Sequence, residues 1–291
     1  MRRRDIFSIL VLVMVIGLAG VQAFAQAQNA APANAKQMKR DEVYFSLARK
    51  INSINESQVS AVVAELDGVI EVTDITLLAD GKAEVTVKER APSNAANTQK
   101  SIKLHFTPPP TGEQWTWVEF ENNRRFYPVE RLFPYVQNEL NKRKQATVSG
   151  WNAYLGTMVK QGEAANKVLD TAKAIIKAEP QPMPIVTASR KAMADAMKEN
   201  KTEETLNAYN DLSGQTEAIT LLGDSYPDLK ANDAYLRLLE EFKNSVNVTN
   251  AARKNYVQSV DVYNESLLRL PWALAAYGLQ FTRMEPKVTA E

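Results

Sequence analysis

The spacing of apolar residues along the chain changes from three or four to two and then back, which predicts helices, strands and helices again. Two groups of apolar residues at helical spacing come first and predict two short helices. They are Val43, Leu47, Ile51 and Ile54, followed by Val59, Val62, Val63 and Leu66. Both predicted helices precede the first strand.

The apolar period becomes two in the next part of the chain, where turn sequences separate four predicted strands. Asp80-Gly81 is a hairpin sequence between the first two strands, and the prolines at 108–110 follow the third. The predicted strands cover residues 69–78, 83–88, 102–107 and 115–121. We therefore predict a four-stranded antiparallel meander with helices beside it, a small α+β domain over residues 40–127.

From residue 128 onward the strand pattern ceases and the composition is helical. We expect interruptions at Pro134, at Gly150 and at the proline-rich segment 179–184, since proline lacks the N–H donor and clashes with the preceding helical turn. Further helices are expected from Val186, with a pause at 200–202, and from Glu203 to Leu222.

The last predicted helix, residues 232–270, has the clearest heptad pattern. Its two seam rows are Tyr235, Phe242, Thr249, Tyr256, Tyr263 and Leu270, and Leu239, Val246, Arg253, Val260 and Leu267. At 1.5 Å per residue it would be about 58 Å long and would need other helices along its length. The sequence therefore predicts a mainly α fold, with a long-helix antiparallel bundle over residues 128–285 and a tail at 286–291.

Two seam positions are polar, Thr249 and Arg253. Polar residues at such positions commonly fix the register of packed helices, and the stem of an arginine can cover apolar surface while its charged end reaches water. A functional polar site is the alternative interpretation.

Residues 1–25 have the composition of an export segment. Three arginines precede an apolar run, and Ala23-Phe24-Ala25 has the small side chains of a signal peptidase site. The apolar stretch of about 20 residues is also long enough to cross a bilayer, so an uncleaved anchor stays open. In both cases we expect the body in the periplasm or on the extracytoplasmic face of the inner membrane. Residues 26–39 are expected to be a disordered linker.

The composition excludes several classes of function. The chain has no cysteine, a single histidine and a net charge of +1. Disulfides, thiol catalysis and Cys-ligated metals are excluded, and no overall field favours nucleic acid. His105 is expected at the exposed face of a strand and cannot supply a zinc or Ser/His/Asp site by itself. A carboxylate pair stays open, because its members can be far apart in sequence. We predict a non-enzymatic protein without a cofactor or metal.

One group of residues is a candidate ligand-binding site. Trp115 and Trp117 share a face of the fourth predicted strand, and Arg124, Arg125 and Tyr127 follow at its exit. Aromatic faces with nearby guanidinium groups can bind sugars or anionic polymers. The alternative is that the tryptophans pack beneath a helix, the commoner fate of aromatic residues in strands.

Several motifs resemble the LemA family over about residues 205–285. They are Asp211-Leu212-Ser213-Gly214, Tyr226-Pro227-Asp228-Leu229-Lys230-Ala231-Asn232, Ala251-Ala252-Arg253-Lys254-Asn255-Tyr256 and Val262-Tyr263-Asn264. The resemblance implies an exported or membrane-tethered helical bundle with no agreed biochemical activity. In the second motif, Pro227 presets a turn, and Asp228 or Asn232 can cap the next helix. A recognition loop is the alternative interpretation of this motif.

Two hypotheses for function follow. The first is a scaffold or interaction module that docks another envelope or membrane protein through its helical bundle. The alternative is a glycan-binding or anionic-polymer-binding module that uses the aromatic residues of the sheet. Contact with a membrane is expected only if the N-terminal segment is retained.

Overall fold

The computed structural model describes residues 38–51, 56–90, 99–109 and 114–288. The predicted export segment lies outside these residues, as does the predicted linker up to residue 37. Met38, near the end of that linker, is buried. The chain divides into two compact units. Unit 1 comprises the described residues up to Leu140 together with Ser266–Thr282, and unit 2 comprises Asn141–Glu265 with the described residues from Arg283.

Two helices come first among the described residues of unit 1, α1 at Arg40–Lys50 and α2 at Glu56–Val69. Their core-facing side chains are those that the helical spacing of the sequence predicts. Among the described residues they are Val43, Leu47, Ile51, Val59, Val62 and Leu66, all 2% exposed or less. The prediction of two short amphipathic helices is confirmed.

An antiparallel meander follows the helices, and it has five strands where the sequence predicted four. The strands are β1 (Ile70–Leu77), β2 (Ala83–Glu89), β3 (Ser101–Thr107), β4 (Thr116–Asn122) and β5 (Arg125–Pro128), in that spatial order. The predicted hairpin between β1 and β2 is confirmed, with Gly81 at a φ of 83°. That value lies in the left-handed region, which glycine adopts without steric cost.

The fifth strand was missed because its turn contains no glycine. Asn122 pairs with Arg125, which leaves Asn123 and Arg124 as a two-residue loop. Their φ angles are 51° and 62°, both positive, as the tight hairpin turn that matches strand twist requires. Asparagine adopts positive φ angles more readily than most residues do, which suits the first position of the loop. Arginine occupies the second position. A 3₁₀ turn at Val129–Arg131 follows β5.

The remaining elements are helices. They are α3 (Leu132–Ile176), α4 (Met183–Lys198), α5 (Thr202–Ser213), α6 (Thr216–Ser225), α7 (Pro227–Lys230), α8 (Asp233–Ser266) and α9 (Ala273–Ala276). A break at Gly214 and Gln215 divides the helix that the sequence predicted from Glu203 to Leu222. The last long helix ends at Ser266, earlier than the predicted Leu270. No helix among the described residues is long and apolar enough to cross a membrane.

The predicted interruptions of α3 at Pro134 and Gly150 do not occur. Pro134 lies in the first turn of α3, where a helix has no acceptor for the N–H that proline lacks. Gly150 serves packing instead. A Cβ at this position would lie 3.3 Å from both Ser259 Oγ and Tyr256 Cα, so the missing side chain lets α3 and α8 approach closely.

Within unit 2, α3 and α8 run antiparallel. Gly150 of α3 lies at Tyr256, whereas seven residues further on Thr157 O accepts a hydrogen bond from Thr249 Oγ1 at 3.2 Å. The predicted seam is confirmed along α8, where six of its positions are 3% exposed or less: Tyr235, Phe242, Thr249, Tyr256, Val260 and Tyr263. Val246 and Arg253 are partly exposed, and Leu267 and Leu270 lie beyond the end of α8. The hydroxyl of Thr249 bonds across the seam, as expected of a residue that fixes helix register.

The turn before α8 follows the capping interpretation of its sequence. Pro227 is the first residue of α7, and Leu229 is fully buried. Asn232 Oδ1 accepts a hydrogen bond from Tyr235 N at 3.0 Å, so Asn232 caps the N-terminus of α8.

Candidate functional site

The two tryptophans of the predicted ligand site lie in the core of unit 1. Trp115 is 2% exposed and Trp117 is fully buried. Ser46 of α1 donates a hydrogen bond to Trp115 O at 2.7 Å, and the Trp117 indole N–H donates to Glu119 O at 2.8 Å. This placement corresponds to the packing interpretation, and in this structure neither ring offers a face on which a sugar could stack.

A bulge between β3 and β4 explains how this part of β4 is buried. The register shifts between His105 and Phe106, so that Trp117 pairs with Phe106 and Phe120 pairs with Leu104. The extra residue on β4 places Trp117 and Phe120 on one face although they are three positions apart. Regular alternation in the sequence cannot show this.

The other members of the predicted site lie apart from the tryptophan rings. Arg124 and Arg125 are exposed at the turn between β4 and β5. Tyr127 is half-buried, with its ring centroid 6.0 Å from that of Phe120. The structure therefore does not gather the predicted residues around one aromatic surface.

His105 is not an exposed strand residue, as the sequence predicted, but the centre of a polar cluster. Its side chain is 12% exposed. Nδ1 lies 2.9 Å from Glu119 Oε2, Nε2 lies 3.3 Å from Glu84 Oε2, and the ring stacks on Phe126 with the centroids 3.9 Å apart. Burial by itself would raise the pKa of the Glu84 carboxyl, but hydrogen bonds from Lys103 and His105 hold this pKa below its usual value.

This cluster is built as an ion-pair network and not as a metal centre. Each imidazole nitrogen of His105 faces a different carboxylate, so neither is directed at a common point with both glutamates. Across the residues that the structure describes, no group of three or more histidine, aspartate or glutamate side chains has the arrangement of a metal site. The cluster has no pattern in the sequence, because its members lie on three separate strands.

The interior of unit 2 holds aromatic hydroxyl groups. The Tyr209 hydroxyl donates to Gln161 Oε1 at 3.0 Å, and both residues are buried. Burial raises the pKa of Tyr209 and also that of Tyr154, whose ring lies 6.2 Å from it. These hydroxyl groups therefore stay neutral at physiological pH and act as packing and hydrogen-bonding groups.

A groove open to solvent lies between α3 and α8 of unit 2. It has a volume of about 320 Å³ and is lined by Arg143, Ala146, Asn255, Gln258, Ser259 and Val262. Val262 is 41% exposed although it is a large apolar residue. We call this surface the open groove.

The α8 side of the open groove continues as a stripe along the helix. Val248, Ala251, Asn255 and Val262 are separated by three, four and seven residues, which places them on one helical face. All four are exposed, and Val248 is 48% exposed. This face of α8 therefore presents two valines and an alanine to solvent.

Comparison with known protein families gives a match to the C-terminal half of the chain. Residues 151–290 match the model of the LemA family. This C-terminal half belongs to the LemA family. The match confirms the resemblance seen in the motifs, and it leaves the sheet of unit 1 without a family match. No curated protein matches the chain. LemA is not a known enzyme family.

The residues that match the LemA family, 151–290, contain part of the open groove and exclude the sites of the sheet. They include all of α8, with Val248 and Val262, and the part of α3 that follows Gly150. The His105 cluster and the predicted tryptophan site lie outside them. The family match therefore covers the α8 side of the open groove, whereas Arg143 and Ala146 on the α3 side lie outside it.

Proposed function

We propose that this chain is an interaction protein that docks a partner protein through the helices of unit 2. The observation that carries the proposal is the open groove between α3 and α8. The occupant we assign to it is an amphipathic helix of another envelope or membrane protein.

The shape of the open groove suits a helix. On α3 the small residue Ala146 lines it, one turn before the close approach at Gly150. On α8 the exposed stripe ends at Val262. Val248 and Val262 are 14 positions apart, which corresponds to about 21 Å along the helix axis. An amphipathic helix with apolar residues at helical spacing can lay its apolar face along such a surface.

We also propose that the protein works outside the cytoplasmic membrane, in the periplasm or attached to the membrane surface. The support is the arginine-led apolar run that ends in Ala23-Phe24-Ala25. The intact mass of the protein isolated from cells tests this. We expect a chain that begins at Gln26. A mass that retains residues 1–25 in a membrane fraction would establish an anchor, and that form in the soluble cytoplasm would contradict export.

We do not assign catalysis to the chain. Its single histidine is held between two carboxylates, and it has no cysteine nucleophile. Nor do we assign glycan binding to the sheet, because the rings of Trp115 and Trp117 are buried.

Site-specific photocrosslinking in living cells tests docking at the open groove. A photoreactive amino acid is placed at Asn255 or at Val262, and for comparison at the exposed Lys191 of α4. We expect protein adducts from the two groove positions, identified by mass spectrometry, and none of the same mass from Lys191.

A matched pair of variants sharpens this experiment. Val262→Asp places a charge in the open groove, whereas Val148→Asp places one on α3 outside the groove lining, and both valines are 41% exposed. We expect the adduct formed from Asn255 to disappear with Val262→Asp and to persist with Val148→Asp. Equal adducts from all positions, or equal effects of the two substitutions, would contradict docking at this groove.

A further inference from the structure

The last described segment, Arg283–Val288, lies against unit 2 without regular secondary structure. We call it the tail segment. Met284 and Val288 pack against the apolar cluster that contains Tyr154 and Tyr256, whereas the residues between them are exposed. Two inward side chains four residues apart, with exposed residues between them, resemble a bound peptide more than a continuation of the bundle.

The helices of unit 2 hold the tail segment by its main chain. The Asn264 side-chain amide donates from Nδ2 to Met284 O and accepts from Met284 N at Oδ1, both at 2.8 Å. The Tyr256 hydroxyl accepts a hydrogen bond from Lys287 N at 3.0 Å. Almost every residue offers these main-chain groups, so the three bonds do not depend on the sequence of the tail segment.

Side-chain contacts add a preference to this main-chain recognition. Met284 Sδ lies 3.7 Å from the Oγ1 of Thr147, a buried residue of α3. Lys287 Nζ lies 5.6 Å from the centroid of the Trp151 ring, within reach of a cation–π interaction. The position of Met284 therefore suits a flexible apolar side chain, and that of Lys287 suits a cation.

The surface that holds the tail segment extends beyond these contacts. A depression of about 290 Å³ adjoins Lys287 and is lined by residues of α3, α4 and α5 that include Asn152, Leu155, Met197 and Thr202. Its walls are both polar and apolar. A peptide longer than the tail segment would find further contacts there.

We propose that this surface, the tail groove, is a binding site for a linear peptide of a partner protein. The peptide presents a flexible apolar residue where Met284 lies, a basic residue three positions later and an apolar residue at the next. The tail segment occupies the site in cis and leaves when the peptide binds. The contacts of the tail groove, made by Asn264, Tyr256, Thr147 and Trp151, involve none of the residues that line the open groove.

A partner peptide fits this site better than the tail of a second copy does. An identical tail from another molecule would make the same contacts as the cis tail, but it would also lose translational and rotational freedom on association. The cis tail further benefits from the high effective concentration of a tethered segment. A peptide that reaches into the depression beside Lys287 gains contacts that the tail segment does not make.

Fluorescence anisotropy with a labelled synthetic peptide of residues 282–288 tests the tail groove on the full chain. Met284→Asp removes the apolar anchor and frees the groove, and Met284→Ala does so more mildly. We expect the peptide to bind both variants at least tenfold more tightly than the parent, whose groove is occupied. Adding Asn264→Ala to either variant should weaken binding at least tenfold, since it removes two main-chain hydrogen bonds. A peptide with aspartate in place of methionine should not bind.

The contrary outcomes are equally specific. Circular dichroism establishes that each variant is folded. Folded Met284→Ala protein that binds the peptide no better than the parent, or equally well with Asn264→Ala, would overturn the proposal. Parent protein that forms dimers dependent on Asn264 would identify a second copy as the occupant and overturn the partner peptide.

Peptides extended beyond residue 288 by apolar and polar residues should bind more tightly than the probe. Loss of crosslinks at Val262 would instead count against the open groove.

Discussion

The two units of this chain differ in the charge of the polar side chains that they bury. In unit 1 the Glu89 carboxylate is 2% exposed and accepts hydrogen bonds from Leu270 N, Arg269 Nη1 and Lys100 N at 2.8–3.0 Å. In unit 2 the polar side chains that are buried as a whole are neutral, such as the pair Tyr209 and Gln161. A buried charge needs complete pairing, whereas a neutral hydroxyl group tolerates incomplete pairing.

The difference shows how each unit is held together. Glu89 joins β2 to Arg269 and Leu270, about 180 positions later in the chain, so a single carboxylate fixes a distant segment in unit 1. Unit 2 relies on the repeated apolar seam of α8, whose buried surface is divided among many positions. The stability of unit 1 should therefore depend strongly on one residue, Glu89. The stability of unit 2 should depend on the kind of side chain that a substitution introduces at the seam.

The largest effect is expected at the seam of unit 2. Val260 is fully buried, and Val260→Asp introduces a charge without a partner, which should lower the free energy of unfolding by about 4 kcal/mol. Asn255→Asp, at an exposed position of the same helix, is the control and should change it by less than about 0.5 kcal/mol. Urea denaturation measures both. Similar stability of the two variants would contradict the heptad assignment of α8.

The next effect is expected at the buried carboxylate of unit 1. Glu89→Ala leaves three donors without their acceptor and should lower the free energy of unfolding by about 3 kcal/mol. Hydrogen–deuterium exchange should show faster exchange in β2 and in residues 266–282. The control is Glu71→Ala, an exposed position of β1. If exchange rises equally with both variants, Glu89 does not fix the distant segment.

Much of this fold follows from the sequence, and the missed features have physical reasons. Apolar spacing located the first four strands and the seam of α8, because burial on one face imposes a period on the chain. It missed β5, since Arg124 does not look like a turn residue, and it placed breaks in α3 at Pro134 and Gly150. Those two residues have positional effects that depend on the helix start and on the neighbouring α8.

The candidate sites were harder to predict than the fold. Trp115 and Trp117 were recognised as a pair on one strand face, but the sequence pattern does not show that both rings are buried. The His105 cluster and the tail groove each bring together residues distant in sequence. Asn264 and Tyr256 were noticed as parts of a family motif, but the main chain that they hold has no sequence signature.

A smaller effect on stability is expected when the hydroxyl groups of two tyrosines in unit 2 are removed one at a time. Tyr209→Phe leaves Gln161 Oε1 buried without its donor and should lower the free energy of unfolding by about 1–2 kcal/mol. The Tyr154 hydroxyl is buried and makes no hydrogen bond within the described residues. Tyr154→Phe should therefore leave stability unchanged or raise it by up to about 1 kcal/mol. Thermal denaturation compares the two. An equal loss in both variants would contradict the assignment of the effect to the hydrogen bond between Tyr209 and Gln161.

The smallest expected effect is the loss of stability of unit 1 at acidic pH. The pKa of Glu84 lies below its usual value because Lys103 and His105 donate hydrogen bonds to its carboxylate, which outweighs the opposing effect of burial. A lowered pKa in the folded state means that this carboxylate stabilises unit 1 above its unfolded pKa, near 4.5, and that the contribution is lost as the pH falls through the folded value.

We therefore expect exchange of the β2 and β3 amides, corrected for intrinsic rates, to rise in the parent as the pH falls below about 4.5. This rise should be smaller in Glu84→Gln, which has no carboxyl to protonate. Lys103→Met should move the rise to higher pH, because it removes one of the donors that lower the pKa. The seam of α8, whose two rows contain no aspartate or glutamate, serves as the internal reference. An unchanged pH dependence in both variants would show that the carboxylates around His105 do not link the stability of unit 1 to pH.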